Sequence, residues 1–376
     1  VIVLEVIFWT AVALLVYTQL VYPGLAALLA RMRRPFRPGR RPDRAPLVSL
    51  IIAAYAEEGV IAQKVANALA LDYPRGMLEV IVCCDGSPDA TAQVAREAGA
   101  HKILELPRGG KHRAQDAGVE AATGELFAFS DANTMWAPDA LRTLVRRFED
   151  ERVGYACGRV DFVNDQGTNQ EGLYWRYEMW LRANESRLRS VTAGNGAIYA
   201  VRRQAYLFAD ELEGGHDLSL PFNLVKRKWR AVYEPDARAV EKMVPTNEGE
   251  FRRKRRMMTQ AWPIILHGGL ASPRGYGLLY SWMILSHRIL RYATPFLHLV
   301  ALISCALLAT GSTFYLALLC LQGALLLGAL MGRWIKARVL LVVRYYVLTT
   351  GALALGLWDH LRHGTPTGWS PPEGTR

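Results

Sequence analysis

Apolar and polar positions divide the chain into three regimes. From Val1 to Ala30 nearly every position is apolar, with Glu5, Thr10, Thr18 and Gln19 among the exceptions. A run of that length crosses a bilayer as one helix, and the short apolar core and cleavage site of a signal peptide are not evident. From Pro46 to about Trp229 short apolar runs alternate with helix-periodic segments. "LVSLIIAAY", "LEVIVCCDG", "HKILEL" and "ELFAFSDAN" read as strands, with "VIAQKVANALAL", "DATAQVAREAG" and "KHRAQDAGVEAA" as the helices between them. This alternation predicts a parallel sheet with helices on both faces. From about Gly275 the chain turns apolar again. Tyr292 to Gly311, Ser312 to Met331 and Val339 to Trp358 read as three further spans, and Gly275 to Arg291 as an interfacial amphipathic segment carrying Trp and Tyr.

Composition sharpens this picture through where the charge lies. The 376 residues carry a formal net charge of +11. A basic excess suits nucleic acid or an anionic membrane surface. Here the arginines crowd into Arg31 to Arg44 and Arg252 to Arg256, beside the apolar segments, which favours the membrane and speaks against nucleic acid. The Pro-broken stretch "RMRRPFRPGRRPDR" then lies in the cytoplasm by the positive-inside rule, with the N-terminus outside. The expected organisation is a transmembrane helix over 1–30, a basic cytosolic linker over 31–45, a cytosolic α/β domain over 46–260, interfacial helices over 261–291, about three spans over 292–358 and a tail over 359–376. The five cysteines have no metal-site or disulfide-framework spacing. Cys83 and Cys84 sit in an apolar run and read as core thiols of a reducing compartment.

The chemistry gathers at strand exits. "FAFSDANTMW" ends an apolar run in Asp131 and Asn133. A buried carboxylate is costly without a partner, but at a strand exit it can face a cleft and hold a cation or a ligand. Tyr55 and Asp85 fall at two other strand exits. Ligands of parallel sheets bind at the carboxyl ends of the strands.

Several motifs in order resemble the membrane-integrated glycosyltransferases of family 2, the group of cellulose, hyaluronan, chitin and poly-N-acetylglucosamine synthases. The resemblance covers most of the chain and implies a GT-A type (Rossmann-like) mixed, mostly parallel sheet with transmembrane helices at both ends. In "IIAAYAEE" it implies that Ala53, Tyr55 and Glu57 border the uridine of a UDP-sugar, although Ala53 and Ala56 depart from the family's Pro and Asn. In "CDGSPDAT" Asp85 matches the carboxylate that accepts from base or ribose. "RGGKHRAQDAG" is similar to the family's Gly-Lys segment and implies that Lys111 contacts the nucleotide or its diphosphate. "DAN" matches the Asp-x-Asp motif, so Asp131 and Asn133 would hold a divalent cation, Mg or Mn, against the phosphates. "TAGNGAIYAVRR" resembles the segment beside the acceptor, with Gly194, Asn195 and Gly196 at the sugar. "EGGHDLSL" places Asp217 where the family has its general base, with His216 replacing a Glu and assigned to metal or acceptor. "FRRKRRMMTQAW" falls where processive members carry Gln-x-x-Arg-Trp. Arg253 and Arg256 keep a cationic pair for phosphate, Met257 takes the Trp position, and Trp262 is the substitute acceptor platform. The implied enzyme is an inverting, multi-pass transferase of the plasma (inner) membrane with its catalytic domain in the cytoplasm, extending a polysaccharide. Single transfer to a lipid-linked acceptor and a catalytically inactive nucleotide-sugar sensor are the alternatives. A homo-oligomer or an accessory subunit stays open.

Overall fold

The computed structural model describes residues 1–33, 45–163, 171–242 and 247–365. Most of the basic linker and the last residues of the tail lie outside that set. An eight-stranded mixed sheet has the order β3-β2-β1-β4-β7-β6-β8-β5. Its strands are β1 (Val48–Ala54), β2 (Leu78–Asp85), β3 (Lys102–Leu106), β4 (Leu126–Asp131), β5 (Met135–Trp136), β6 (Val153–Val163), β7 (Ile198–Arg202) and β8 (Arg230–Lys242). The four strands read from the sequence are all present, and β1 to β4 form the parallel half. The antiparallel pairings of β7 with β4 and β6 make the whole sheet mixed.

The chain runs outward from β1 to β3 and then returns to the other side of β1 as β4. That reversal opens a crevice at the carboxyl ends of β1 and β4. Register puts Ala53 level with both Cys83 and Asp131, so the strand exits share one rim.

Alternation along the strands splits the core between two faces. Leu50, Ile52, Val80, Val82 and Ala128 face one side with the helix Ile61–Leu69, whose Ile61, Val65 and Ala68 are buried at helical spacing. Ile51, Ala53, Ile81, Phe127 and Phe129 face the other, against the helices Lys111–Ala121 and His216–Lys226. Cys83 belongs to this second face and Cys84 to the first; both are buried thiols. Burial pushes the Cys84 thiol up to about 11 and the Cys83 thiol higher still.

Among the described residues three helices are long and apolar enough to cross a membrane: Ile2–Arg31, Thr313–Met331 and Arg338–His363. The span expected at Tyr292 to Gly311 is a shorter helix, Thr294–Ala309, with Pro295 in its first turn. It reaches spanning length only together with Leu278–Tyr292, from which it is bent by 59°, so the segment expected to be interfacial joins it as one broken span or re-entrant element.

The first helix also carries a defect with a local cause. Pro23 has no N–H to donate to Gln19, and Tyr17–Val21 widens into a π turn there. The Gln19 carbonyl instead accepts from the Tyr177 hydroxyl at 3.1 Å. The helix Glu171–Leu188 that carries Tyr177 fastens the sheet domain to the apolar helices. Its buried Glu185 takes a hydrogen bond from Thr192 Oγ1 at 2.9 Å, pairs with His287 at 2.7 Å and accepts from the Tyr22 hydroxyl.

Candidate active site

The rim is built from four loops that enter or leave the sheet. After β3, Gly110 takes φ +95°, a left-handed conformation that favours glycine, and the helix Lys111–Ala121 starts at the next residue. That helix lies close on the sheet because Gly118 has no side chain. A Cβ there would come within 2.6 Å of Ile51 and 2.8 Å of Cys83. Lys111 thereby reaches across the crevice and pairs with Asp131 at the end of β4. Burial works against the Lys111 charge, but Asp131, then Asp217 and Glu241, outweigh it and raise its pKa.

Asp217 stands in the first turn of the helix His216–Lys226, where a negative charge is favoured by the exposed N–H groups. The Asp217 carbonyl accepts from the Gly194 N–H at 2.6 Å. Gly194 is held against Tyr155, whose hydroxyl would lie only 1.8 Å from any added Cβ. Two residues on, a Cβ on Gly196 would lie 3.6 Å from Asp217 Cβ and 3.9 Å from Lys111 Nζ. Lys111, paired with Asp131, and Asp217 therefore meet beside Gly196, from three separate elements. Asn195 closes the loop: its amide donates to Gly158 O at 3.4 Å and its oxygen accepts from Ala197 N–H at 3.3 Å.

The Asp131–Asn133 turn is completed by residues that motif reading missed. Glu241 accepts from Asn133 Nδ2 and Thr134 Oγ1, each at 3.4 Å. Burial, then Asp131, push its carboxyl up to about 7, against Arg253 and Lys111. Beneath the turn, the fully buried Lys64 donates to Thr134 O at 2.6 Å. Burial brings that amine down to about 7, with Asp131 opposing. Glu241 arrives on β8 because Val240 pairs with Met135 across the β5–β8 ladder.

Other expected residues are placed differently. Asp85 accepts from Arg108 Nη1 at 2.8 Å and from the Gly109 and Gly110 N–H groups at 2.6 Å and 3.0 Å. With the second Gly110 contact to Oδ2 at 3.0 Å, both oxygens are engaged. A carboxylate offers about four lone-pair sites, and three donors from the following loop take up most of them, so Asp85 holds the loop that presents Lys111. Arg108, held by Asp85, lies 3.3 Å over the Tyr55 ring. Ala53 is buried in the sheet core, and Glu57 is buried where its N–H donates to Thr91 Oγ1 at 2.8 Å. Neither presents side-chain surface to a nucleotide. His216 is buried and meets Tyr199 OH through Nδ1 at 3.2 Å. The partly exposed His112 stands in front of it, with ring centroids 4.7 Å apart.

The basic helix Asn247–Leu266 runs along the helix Arg338–His363. Arg255 makes a forked pair with Asp359 at 2.6 Å, and Lys254 reaches Tyr345. Arg253 contacts Met257 Sδ at 3.6 Å and acts electrostatically on Glu241. Arg256 is depressed by burial and by Arg253. Trp262 is not an acceptor platform here. Its indole N–H donates to Leu353 O at 2.9 Å, and its ring packs edge-on against Tyr292 and Phe296.

Oxygen donors at Asp131, Asn133 and Glu241 suit a hard divalent cation. Among the described residues no group of three or more His, Cys, Asp or Glu side chains is arranged to hold a metal by itself. Asp131, Asn133 and Glu241 would hold such a cation only in part, with further oxygen ligands left to substrate or water.

Residues 49–208 match the family description "Glycosyl transferase family 2", so this part of the chain is a glycosyltransferase family 2 domain. Among curated proteins, the chain is 30% identical over 243 residues to a beta-monoglucosyldiacylglycerol synthase of Trichormus variabilis, a match covering 60% of this chain and 51% of the relative. It is 29% identical over 236 residues to an N-acetylglucosaminyltransferase of Mesorhizobium japonicum, covering 56% of this chain and 54% of that one. The chain thus spans about half the length of these relatives. They are not named as the polymer synthases whose motifs the chain resembles. Among solved structures, the mannosyltransferase PcManGT from Pyrobaculum calidifontis, in complex with GDP-Man and Mn2+, superposes with a TM-score of 0.73 at 23% identity, covering 96% of this chain and 99% of that one. The likeness confirms the GT-A type fold.

Proposed function

We propose that the protein is a membrane-bound, inverting glycosyltransferase that moves one sugar from a nucleotide diphosphosugar to an acceptor held at the bilayer. The observation that carries this is the meeting of Asp217 with the Lys111–Asp131 pair beside Gly196, at the carboxyl rim of a family 2 domain flanked by apolar helices.

The donor's diphosphate lies along Lys111 with Arg253 and Arg256 nearby, where cationic side chains oppose the charge that grows as it leaves. Asp217 takes the acceptor hydroxyl's proton while that oxygen bonds to the anomeric carbon from the opposite side. The bond to the diphosphate breaks and its electron pair departs with the nucleotide. A divalent cation held by Asp131, Asn133 and Glu241 would add Lewis-acid stabilisation of the leaving group. Tyr55 with Arg108 forms the surface for the base.

Single addition to a lipid-anchored acceptor is favoured over polymer growth. Trp262 is committed to the helical packing and Met257 stands where processive members have their Trp, so neither of these positions offers a ring to a growing glycan. The relative named for monoglucosyldiacylglycerol synthesis points the same way. The domain faces the cytoplasm of a plasma (inner) membrane, from the arginines beside the spans.

The test is purified protein in nanodiscs with UDP- and GDP-sugars, Mn2+ and either diacylglycerol or a membrane lipid extract. Nucleotide release and lipid mass are read together. One sugar increment on a lipid, matched by nucleotide release, is the expected result. A polymer ladder would favour the polysaccharide reading, and binding without turnover across the whole panel would make the domain a sensor.

A further inference from the structure

Buried polar atoms without a hydrogen-bond partner among the described residues include His112 Nδ1, His216 Nε2 and both amide atoms of Gln115, which adjoins His112 and Tyr199. The two histidine rings stand 4.7 Å apart, tilted by 46°. Leaving two buried imidazole nitrogens unmatched is costly, and with the rings adjoining, a rotation that brings the two nitrogens together would satisfy both, with Gln115 as the competing partner. At the inner end of the pair, His216 Nδ1 meets the Tyr199 hydroxyl at 3.2 Å. At the outer end, His112 Nε2 lies 3.6 Å from the point a Cβ on Gly215 would occupy, and Asp217 Oδ1 lies 2.8 Å from the same point.

We propose that Tyr199, His216 and His112 form a hydrogen-bonded chain that fixes His112 as its Nε2–H tautomer and aims that N–H at Asp217. His112 is then a positioning residue for the base, a role that rests on reading Asp217 as that base.

The polarity of the chain follows from its ends. A carboxylate beside His112 Nε2 favours a donor there, so Nδ1 carries the lone pair. His216 must then donate from Nε2, which leaves its Nδ1 to accept from the Tyr199 O–H. The opposite polarity would turn a lone pair toward the Asp217 carboxylate. Burial holds the Tyr199 hydroxyl protonated and disfavours charge on both imidazoles, so neutral rings suffice. With one oxygen steadied by His112, the other oxygen of Asp217 is left to the acceptor hydroxyl.

The experiment is 15N NMR of the full-length, histidine-labelled protein in nanodiscs, with signals assigned by His112→Gln and His216→Gln. His112 and His216 are both expected as Nε2–H tautomers. In kinetics, His112→Gln places an amide N–H near the Nε2 position and is expected to hold kcat within about threefold. His112→Leu is expected to lose about tenfold to hundredfold in kcat with donor KM unchanged. An Nδ1–H tautomer at His112, or equal losses in the Gln and Leu variants, would overturn the proposal. Parental turnover in Asp217→Asn would remove the base reading beneath it, independently of the tautomer result.

Discussion

Replacing Gly118 by alanine tests whether the close seat of the helix Lys111–Ala121 on the sheet is what places Lys111. The new Cβ would sit 2.6 Å from Ile51 Cγ2 and 2.8 Å from Cys83 Sγ. Both neighbours are wholly buried in β1 and β2 and cannot swing aside. Carbon atoms settle at about 3.5–4.0 Å, so the helix must retreat by about 1 Å. Overpacking of this kind costs about 1–3 kcal/mol. Alanine's better helix propensity returns about 1 kcal/mol, leaving a net loss of about 0–2 kcal/mol. Stability therefore falls by at most about 2 kcal/mol. Activity should change more, because a shift of about 1 Å in a positioning element can cost about a hundredfold, and Lys111 and His112 occupy the first turn of the same helix. The assay compares kcat and melting temperature of Gly118→Ala with Gly59→Ala, whose added Cβ meets nothing within 4 Å. Parental turnover in Gly118→Ala would refute the link between that packing and the site.

Further outcomes follow from the same geometry. Asp217→Asn should bind the nucleotide sugar with parental affinity and lose transfer, read by calorimetry and product mass; transfer at the parental rate would remove Asp217 as the base. Glu241→Gln should weaken Mn2+ binding in the presence of nucleotide about tenfold, and adding Asn133→Asp should restore it, as measured by Mn2+ electron paramagnetic resonance. Glu79 is half of a structural pair, with Lys102 at 2.7 Å and Ser49 Oγ at 2.6 Å. Although burial alone would raise its pKa, the hydrogen bonds from Lys102, Ser49 and Thr123 bring it down to about 2. A depressed carboxyl stabilises the fold above its unfolded pKa of about 4.3 and loses that contribution as pH falls toward 2. Glu79→Gln should therefore lower the melting temperature at pH 7 and converge on the parent only as pH falls to about 2; a constant difference across that range would contradict the ionic role.

Periodicity carried the frame. The strands ending in Tyr55, Asp85 and Asp131 alternate with amphipathic helices, and local pattern suffices for such elements. The sequence also led to Lys111, Asp131, Asn133 and Asp217, which stand at element termini where chemistry-bearing residues interrupt apolar runs. Glu241 was illegible because its place depends on a pairing between β5 and β8, more than a hundred residues apart in sequence from Asn133. Arg108 and His112 were hidden beside Lys111, since motif spacing does not say which neighbour turns inward. Asp85 looked like a ligand-facing carboxylate, yet three backbone and side-chain donors from the following loop close on it. Trp262 failed as a platform for a similar reason: only the tertiary contact with Leu353 shows where its ring is spent. The bend at Ala293 defeated hydropathy, which adds apolar residues without asking whether they share one axis.

The most direct measurement is a structure of the protein bound to a nucleotide diphosphosugar and Mn2+. The diphosphate is expected between Lys111 and the Asp131–Asn133 turn, near Glu241, with the anomeric carbon turned toward Asp217. A nucleotide seated on any other surface, or a sugar whose anomeric carbon faces away from Asp217, would contradict the account.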